Sequence, residues 1–283
     1  MTIDAVPPTA TAAGHAAAHG QPALMRNLRT IRTVALRELI RLRRTPTRIL
    51  TGFAQPVLFL LVLGAGLSHL VGKHGIRGVS YQEYIFPGVL AMSVITSALF
   101  SAIAIVWDRE FGFMREMLVA PVSRSALVLG KAVGGGSVAV AQGIVLIVLA
   151  PLVGVHLTPL NVLGLLGARV LLAFAMTALG IVLASRMRRM ESFQMVMALV
   201  LQPMIFLSGA IFPLERLPGW LAVPCRLNPA TYGVDLARRA LLGEKQALTI
   251  AHHVVPIWGD VVIVLALGAA LLAIATHFFG QVE

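Results

Sequence analysis

The chain has 283 residues, of which 58% are hydrophobic and only 12% are charged. Soluble domains carry about 25% charged residues, so this composition excludes a water-soluble fold that covers its core with polar side chains. The formal net charge of +11 would suggest a polyanion partner for a soluble protein. In a membrane protein the same basic residues first set the topology.

Residues 1–24 are rich in Ala, Pro, Thr, Gly and His and lack the apolar core of a cleavable signal peptide. We expect a disordered cytoplasmic tail. The following segment, 25–48, predicts an amphipathic interfacial helix that places Leu and Ile in the acyl boundary and arginines in the headgroup layer. DNA binding is the weaker alternative, because no recognition module accompanies the basic face. The arginines of this face are Arg26, Arg29, Arg37, Arg41 and Arg44.

Six segments are apolar and long enough to cross a bilayer core of about 30 Å as helices. They predict an all-α integral membrane protein with one six-span domain over 49–283. The predicted spans are 49–70, 84–107, 132–153, 161–184, 193–212 and 256–279.

Basic residues are unevenly distributed between these spans. Fifteen Lys and Arg fall in the N-terminal segment and the second and fourth loops, against seven in the other three loops. The positive-inside rule then places both termini in the cytoplasm.

The second loop, 108–131, mixes paired charges with aromatic and Met residues. A short helix there would present apolar side chains and charges, and the exposed aromatic and Met residues favour docking to a cytoplasmic partner over an ordinary interfacial loop helix. Pro121 would end it and Ser123 would cap the next helix. The candidate docking residues are Asp108, Arg109, Glu110, Phe111, Phe113, Arg115, Glu116 and Met117.

The fifth loop, 213–255, is too apolar for a free linker. Its prolines and its Trp, Tyr and Leu residues predict short helices that lie at the outer membrane surface or dip into it. Either the exit of a transport path or an interfacial cap fits this pattern.

Polar residues within spans are candidates for a transport path. Helix packing is the simpler role for the glutamines, and snorkelling or an Arg169–Asp260 ion pair is favoured over a substrate site. The run Gly134-Gly135-Gly136 allows close helix approach, as at a dimer seam. The path candidates are Gln55, Gln142, Arg169, Gln202 and Asp260.

Cys225 is expected to be a small apolar filler, and no metal site is predicted. His252 and His253 have no Cys or carboxylate at ligand spacing, so a membrane-embedded enzyme lacks support.

Four segments in this order resemble the ATP-binding-cassette type-2 (ABC-2) permeases, most closely the drug-exporter branch typified by daunorubicin-resistance permeases. They are YQEYIFPGVLAMSV (81–94), DREFGFMREMLVAPVSRSALVLGK (108–131), SGAIFPLERLPGWL (208–221) and NPATYGVDLARRALLG (228–243).

The resemblance implies a role for each region. Residues 108–117 would be the coupling helix that contacts the nucleotide-binding subunit, with Glu110, Arg115 and Glu116 as polar contacts and Phe111 and Phe113 as apolar ones. Residues 25–44 would be the family's amphipathic helix, and 213–243 its re-entrant or surface helices. The Phe-Gly-Phe-Met stretch departs from the Gly-Thr-type turn of many relatives.

No G-x-x-x-x-G-K-[ST] phosphate loop occurs in the sequence, so we expect no cofactor on this chain. By resemblance, ATP and magnesium bind a separate cytoplasmic ATPase, and the other partners are a second permease copy (identical or a close paralogue) and membrane lipids, with no nucleic acid. The implied function is export of hydrophobic or amphipathic small molecules across the plasma membrane.

Two other transport functions remain as alternatives. The same architecture could export a lipid-linked polysaccharide or complex lipid, although 3 Trp and 3 Tyr are few for sugar stacking. An ion-coupled secondary carrier would need mid-membrane acidic or His residues and internal repeats, and the sequence shows neither convincingly.

Overall fold

The computed structural model describes residues 23–44, 54–62, 64, 66, 78–111, 123–211, 214, 218–243, 249–250 and 253–280. Helices dominate, and residues 54–62 are also helical. The helices are α1 (Ala23–Arg44), α2 (Tyr81–Ser101), α3 (Ile103–Glu110), α4 (Arg124–Leu149), α5 (Pro159–Arg186), α6 (Met190–Leu207), α7 (Gly219–Leu227), α8 (Pro229–Leu242) and α9 (Ile257–Gly280). Strands β1 (Thr249–Ile250) and β2 (His253–Val254) form one short antiparallel pair.

Five helices in the described part of the chain are long and apolar enough to cross a membrane, and each coincides with a predicted span. The prediction of an all-α integral membrane protein is confirmed. Half of the first predicted span, 49–70, lies outside the described residues. The five helices are Tyr81–Glu110, Ser125–Val153, Pro159–Arg186, Met190–Leu207 and Ile257–Phe278.

Side-chain caps fix where three of these helices begin. The Ser80 hydroxyl accepts from the Glu83 amide while the Glu83 carboxylate accepts from the Ser80 amide, which is a capping box. Ser123 caps α4, as the sequence predicts, and Thr158 caps α5. Each cap satisfies backbone amides in the first turn, so each of these helices begins before the predicted span to which it corresponds.

Helix α5 is the centre of the bundle and packs against α2, α4, α8 and α9. Its Gly180 lies against the backbone of Leu99 in α2, where a Cβ atom would come within 2.8 Å of the Leu99 carbonyl oxygen. The glycine run of α4 also serves contacts inside the chain. Gly134 faces α1, and Gly135 faces Ser101 and Thr177, so the predicted use of the run at a dimer seam is replaced by packing within one subunit.

Helix α8 inserts into the bundle rather than lying on its surface. Its residues from Pro229 to Arg239 are buried, and it packs against α2, α5 and α9. Gly233 of α8 contacts Leu172, which lies about 20 Å along α5 from Pro159 at 1.5 Å per residue. The C-terminal carbonyls of α8 meet the Asn161 amide near the start of α5. The α7–α8 hairpin is therefore re-entrant.

The buried backbone of the hairpin is satisfied by the helices around it, which is what a re-entrant segment requires. Asn228 caps α8 and also donates to the Met204 carbonyl of α6, and the Thr231 hydroxyl donates to the Leu207 carbonyl. Arg238 donates to the Gly209 carbonyl at 2.7 Å and stacks over the Tyr84 ring. These bonds hold the end of α6 against α8.

Helix α1 packs along α4. The Cα of Ile31 and the side chain of Val34 contact Gly130, and Ala35 contacts Gly134. The apolar side of α1 is thus divided: these residues face α4, whereas Leu28, Leu36, Leu39 and Ile40 remain exposed. That exposed strip is the part of α1 available to lipid.

Candidate functional site

Three consecutive charged residues at the end of α3 each contact a different part of the bundle. Asp108 forms a 2.7 Å ion pair with Lys131 of α4. Arg109 donates to the carbonyls of Ser185 and Met187, at the end of α5. The Glu110 carboxylate accepts from the Met190 amide, the first residue of α6, at 3.0 Å. This charged end, Asp108–Glu110, joins four of the five membrane helices at the side predicted to be cytoplasmic.

Of the remaining predicted docking residues, the structure describes only Phe111. Phe111 follows directly and is 69% exposed, so its ring is available to a partner. Phe113, Arg115, Glu116 and Met117 lie outside the described residues. The sequence reasoning missed Lys131, although an isolated cation early in an otherwise apolar helix was a signal that a carboxylate must lie near.

Helix α1 joins the same end of the bundle. The Arg41 guanidinium lies over the Trp107 ring at 5.5 Å, one residue before the charged end, and Asn27 accepts from the Ser123 hydroxyl at the start of α4. Arg29, Arg37 and Arg44 are exposed, as headgroup contacts require, and the side chain of Arg26 is not described.

The predicted Arg169–Asp260 pair is not formed. Asp260 lies instead 3.4 Å from Arg239 of α8, which also holds Asp235 at 2.7 Å and donates to the Val255 carbonyl. The insertion of α8 between the helices brings Arg239 close to Asp260. The boundaries of the predicted spans do not indicate this insertion, so the pair could not be predicted from them. We call Asp235, Arg239 and Asp260 the α8–α9 charge cluster.

Arg169 does not snorkel either. Its side chain is 2% exposed and turns into the bundle, where Nη2 donates to the Ala139 carbonyl at 3.2 Å and to the Ser93 hydroxyl at 3.4 Å. Gly143 of α4 leaves space for the guanidinium, because a Cβ atom there would lie 1.3 Å from Arg169 Cζ.

The three glutamines occupy different environments. Gln55 lines a small cavity of about 70 Å³ together with Ser93 and Thr96. Gln142 is buried in α4, and Gln202 is exposed on α6. The structure therefore brings Gln55 near Ser93, a partner of Arg169, and separates Gln202 from them.

Cys225 is buried in α7, and burial raises the pKa of its thiol, which suppresses the reactive thiolate. Among the described residues, no group of three or more His, Cys, Asp or Glu side chains is placed to hold a metal ion.

In the part of the chain that the structure describes, five long apolar helices and a re-entrant hairpin define a multi-pass membrane protein. The ABC-2 type transporter family matches residues 29–242. The chain belongs to the ABC-2 transporter permease family.

The chain is also similar to individual named proteins. Nodulation protein J of Rhizobium leguminosarum bv. trifolii is 31% identical over 226 residues, which cover 79% of this chain and 85% of that protein. The putative transport permease ycf38 of Cyanophora paradoxa is 28% identical over 204 residues, which cover 71% of this chain and 70% of that protein. The putative transport permease ycf38 of Pyropia yezoensis is 27% identical over 257 residues, which cover 87% of this chain and 86% of that protein.

Proposed function

We propose that this chain is the membrane subunit of an ATP-driven exporter in the plasma membrane, with both termini cytoplasmic. A separate cytoplasmic ATPase binds ATP and magnesium, and this chain binds neither. The cargo is a hydrophobic or amphipathic small molecule.

The observation that carries this proposal is the charged end of α3. The segment after Glu110 contacts the ATPase, so a displacement of that segment is transmitted first to Asp108, Arg109 and Glu110. Their bonds to Lys131, to the end of α5 and to the start of α6 pass the movement to three further helices. Since packed helices shift as rigid bodies rather than deform, a small displacement at this end changes the whole bundle.

A second permease copy completes the transport path in this proposal. Helices α6 and α9 present most of their surfaces outward, including Met195, Leu199 and Phe206 of α6. Gln202 lies on the same exposed surface. A polar amide facing hydrocarbon is costly, whereas the same amide facing a second subunit finds a hydrogen-bond partner.

The docking part is tested with Glu116→Arg. We expect export and binding of the ATPase to fall at least about tenfold, because reversing a contact charge replaces attraction by repulsion, while membrane insertion is unchanged. Glu191→Arg, an exposed Glu at the start of α6, is the matched control and should leave both near wild type. Normal export by Glu116→Arg would remove Glu116 from the docking surface.

The cargo is tested in inside-out vesicles that contain permease and ATPase. ATP-dependent uptake of dansyl-labelled single-chain amphiphiles supports a small-molecule exporter. Uptake confined to a lipid-linked polysaccharide or a complex lipid would contradict the small-molecule assignment and keep the permease role.

A further inference from the structure

Arg169 is a buried cation at membrane depth with unused hydrogen-bonding capacity. It lies ten residues after Pro159, about 15 Å along α5, which puts it well inside a hydrocarbon core of about 30 Å. Two of its three nitrogens, Nε and Nη1, are buried and have no hydrogen-bond partner. The bonds of Nη2 to Ser93 and Ala139 are long and involve neutral acceptors.

No carboxylate of the described residues neutralises this guanidinium. Asp235 and Asp260 are held by Arg239, and Asp108 by Lys131. A buried charge without a counter-ion is expensive, and a guanidinium resists the loss of its proton that would remove the cost. An anion from outside the chain would satisfy both the charge and the two free nitrogens.

A cavity reaches this cation through Ser93, one of its hydrogen-bond partners. The cavity of about 70 Å³ between the helical segment 54–62 and α2 is lined by Ser93, whose hydroxyl is bonded to Arg169. Gln55 and Thr96 add polar atoms, and Pro56, Phe59, Val89 and Met92 add apolar wall. A cavity lined by both polar and apolar side chains fits the head of an amphiphile better than a hydrated inorganic ion.

We propose that Arg169 binds the acidic group of the exported molecule, so that the cargo is an anionic amphiphile carrying a carboxylate, phosphate or sulfate. This inference rests on the proposed export function and narrows its substrate class. Gly143 is part of the site, because only a residue without a Cβ atom leaves the guanidinium its place.

Binding is measured without ATP or ATPase, on the full-length permease in phosphatidylcholine nanodiscs. The probe is radiolabelled n-dodecyl phosphate, and its neutral dimethyl ester is the tail-matched comparison. We expect wild type to bind the anion at least about tenfold more tightly than the ester, the size typical of a charged hydrogen bond. Equal binding of the two in wild type would overturn the proposal without recourse to any variant.

Variants locate the site. Arg169→Gln and Gly143→Ala should each abolish the preference for the anion, the second by displacing the guanidinium. Gly167→Ala, in the same helix as Arg169 and with open space around its Cβ position, should retain it. An unchanged preference in monodisperse Arg169→Gln or Gly143→Ala protein would contradict the assignment.

Two competitors separate the sources of the acidic group. Millimolar inorganic phosphate should not displace the probe, and neither should phosphatidylglycerol incorporated into the discs. Displacement by phosphate would show a site for free anions, and displacement by phosphatidylglycerol a site for resident lipid; either contradicts a cargo site. Because the binding assay omits ATP, its result does not depend on whether the protein performs ATP-driven export. A failure of the export proposal and a failure of the binding proposal can therefore be distinguished.

Discussion

The α8–α9 charge cluster is the most heavily buried ion pairing in the described residues, with Asp235, Arg239 and Asp260 each at 5% exposure or less. Arg239 binds Asp235 through both Nε and Nη2, at 3.0 and 2.7 Å. The pairing offsets the cost of removing these charges from water, and it fixes the re-entrant helix to α9.

Replacing Arg239 by Leu should destabilise the protein by about 3–5 kcal/mol, because two carboxylates are then buried without their cation. Thermal unfolding in detergent measures the effect. Arg188→Leu removes an exposed arginine and should change stability by about 0.5 kcal/mol at most. Similar losses in the two variants would show that the cluster is not a structural tie.

The sequence marked two of the buried charges, Arg169 and Asp260, but it did not indicate their partners. Arg169 and Asp260 were correctly picked out as unusual because hydropathy marks charges within apolar runs. Their pairing was wrong because it depends on the rotation of each helix and on the depth of α8. Neither quantity is encoded in span boundaries.

At the scale of elements, the contact of α1 with α4 has a direct test. In a background where Cys225 is replaced by Ala, Ala35→Cys with Gly134→Cys should form a disulfide on mild oxidation, since a Cβ atom at Gly134 would lie 3.2 Å from Ala35 Cα. Leu36→Cys with Gly134→Cys is the control, because Leu36 is 52% exposed on another face of α1. Equal cross-linking of the two pairs would mean that α1 does not hold this position.

The ion pair at the charged end is tested by exchange. Asp108→Lys places two cations together beside α4 and should abolish most transport, at a cost of about 1–3 kcal/mol in stability, and Lys131→Asp should act similarly. The double exchange restores an attractive pair and should recover at least about half of the transport rate.

The control for that exchange is Glu110→Lys combined with Lys131→Asp. Glu110 accepts from a backbone amide, so no exchange at Lys131 restores its bond. Rescue in this control, or none in the Asp108–Lys131 exchange, would show that the pair does not carry the coupling.

Hydropathy predicts the membrane helices well because hydrocarbon imposes helices on any segment that crosses it. It predicts α7 and α8 less fully. Prolines and amphipathic residues indicated short helices there, yet whether they lie on the surface or enter the bundle depends on contacts such as Asn228 with Met204 and Gly233 with Leu172.

At the scale of the whole molecule, the two ends of the bundle have different roles. The end with Asp108–Glu110 ties helices together through ion pairs and backbone bonds. The re-entrant hairpin enters from the opposite side and reaches the depth of Leu172. Arg169 lies on α5 three residues before Leu172, so the proposed cargo site is at a depth that the hairpin also reaches.

The most direct test of the account is the energy source for transport. Permease and ATPase are reconstituted in proteoliposomes, and the movement of a dansyl-labelled amphiphile is measured together with ATP hydrolysis, with and without imposed proton and sodium gradients. We predict transport that requires ATP, is lost when the phosphate-loop lysine of the ATPase is replaced, and is indifferent to the gradients. Transport that persists without hydrolysis and follows an ion gradient would contradict the account and indicate a secondary carrier.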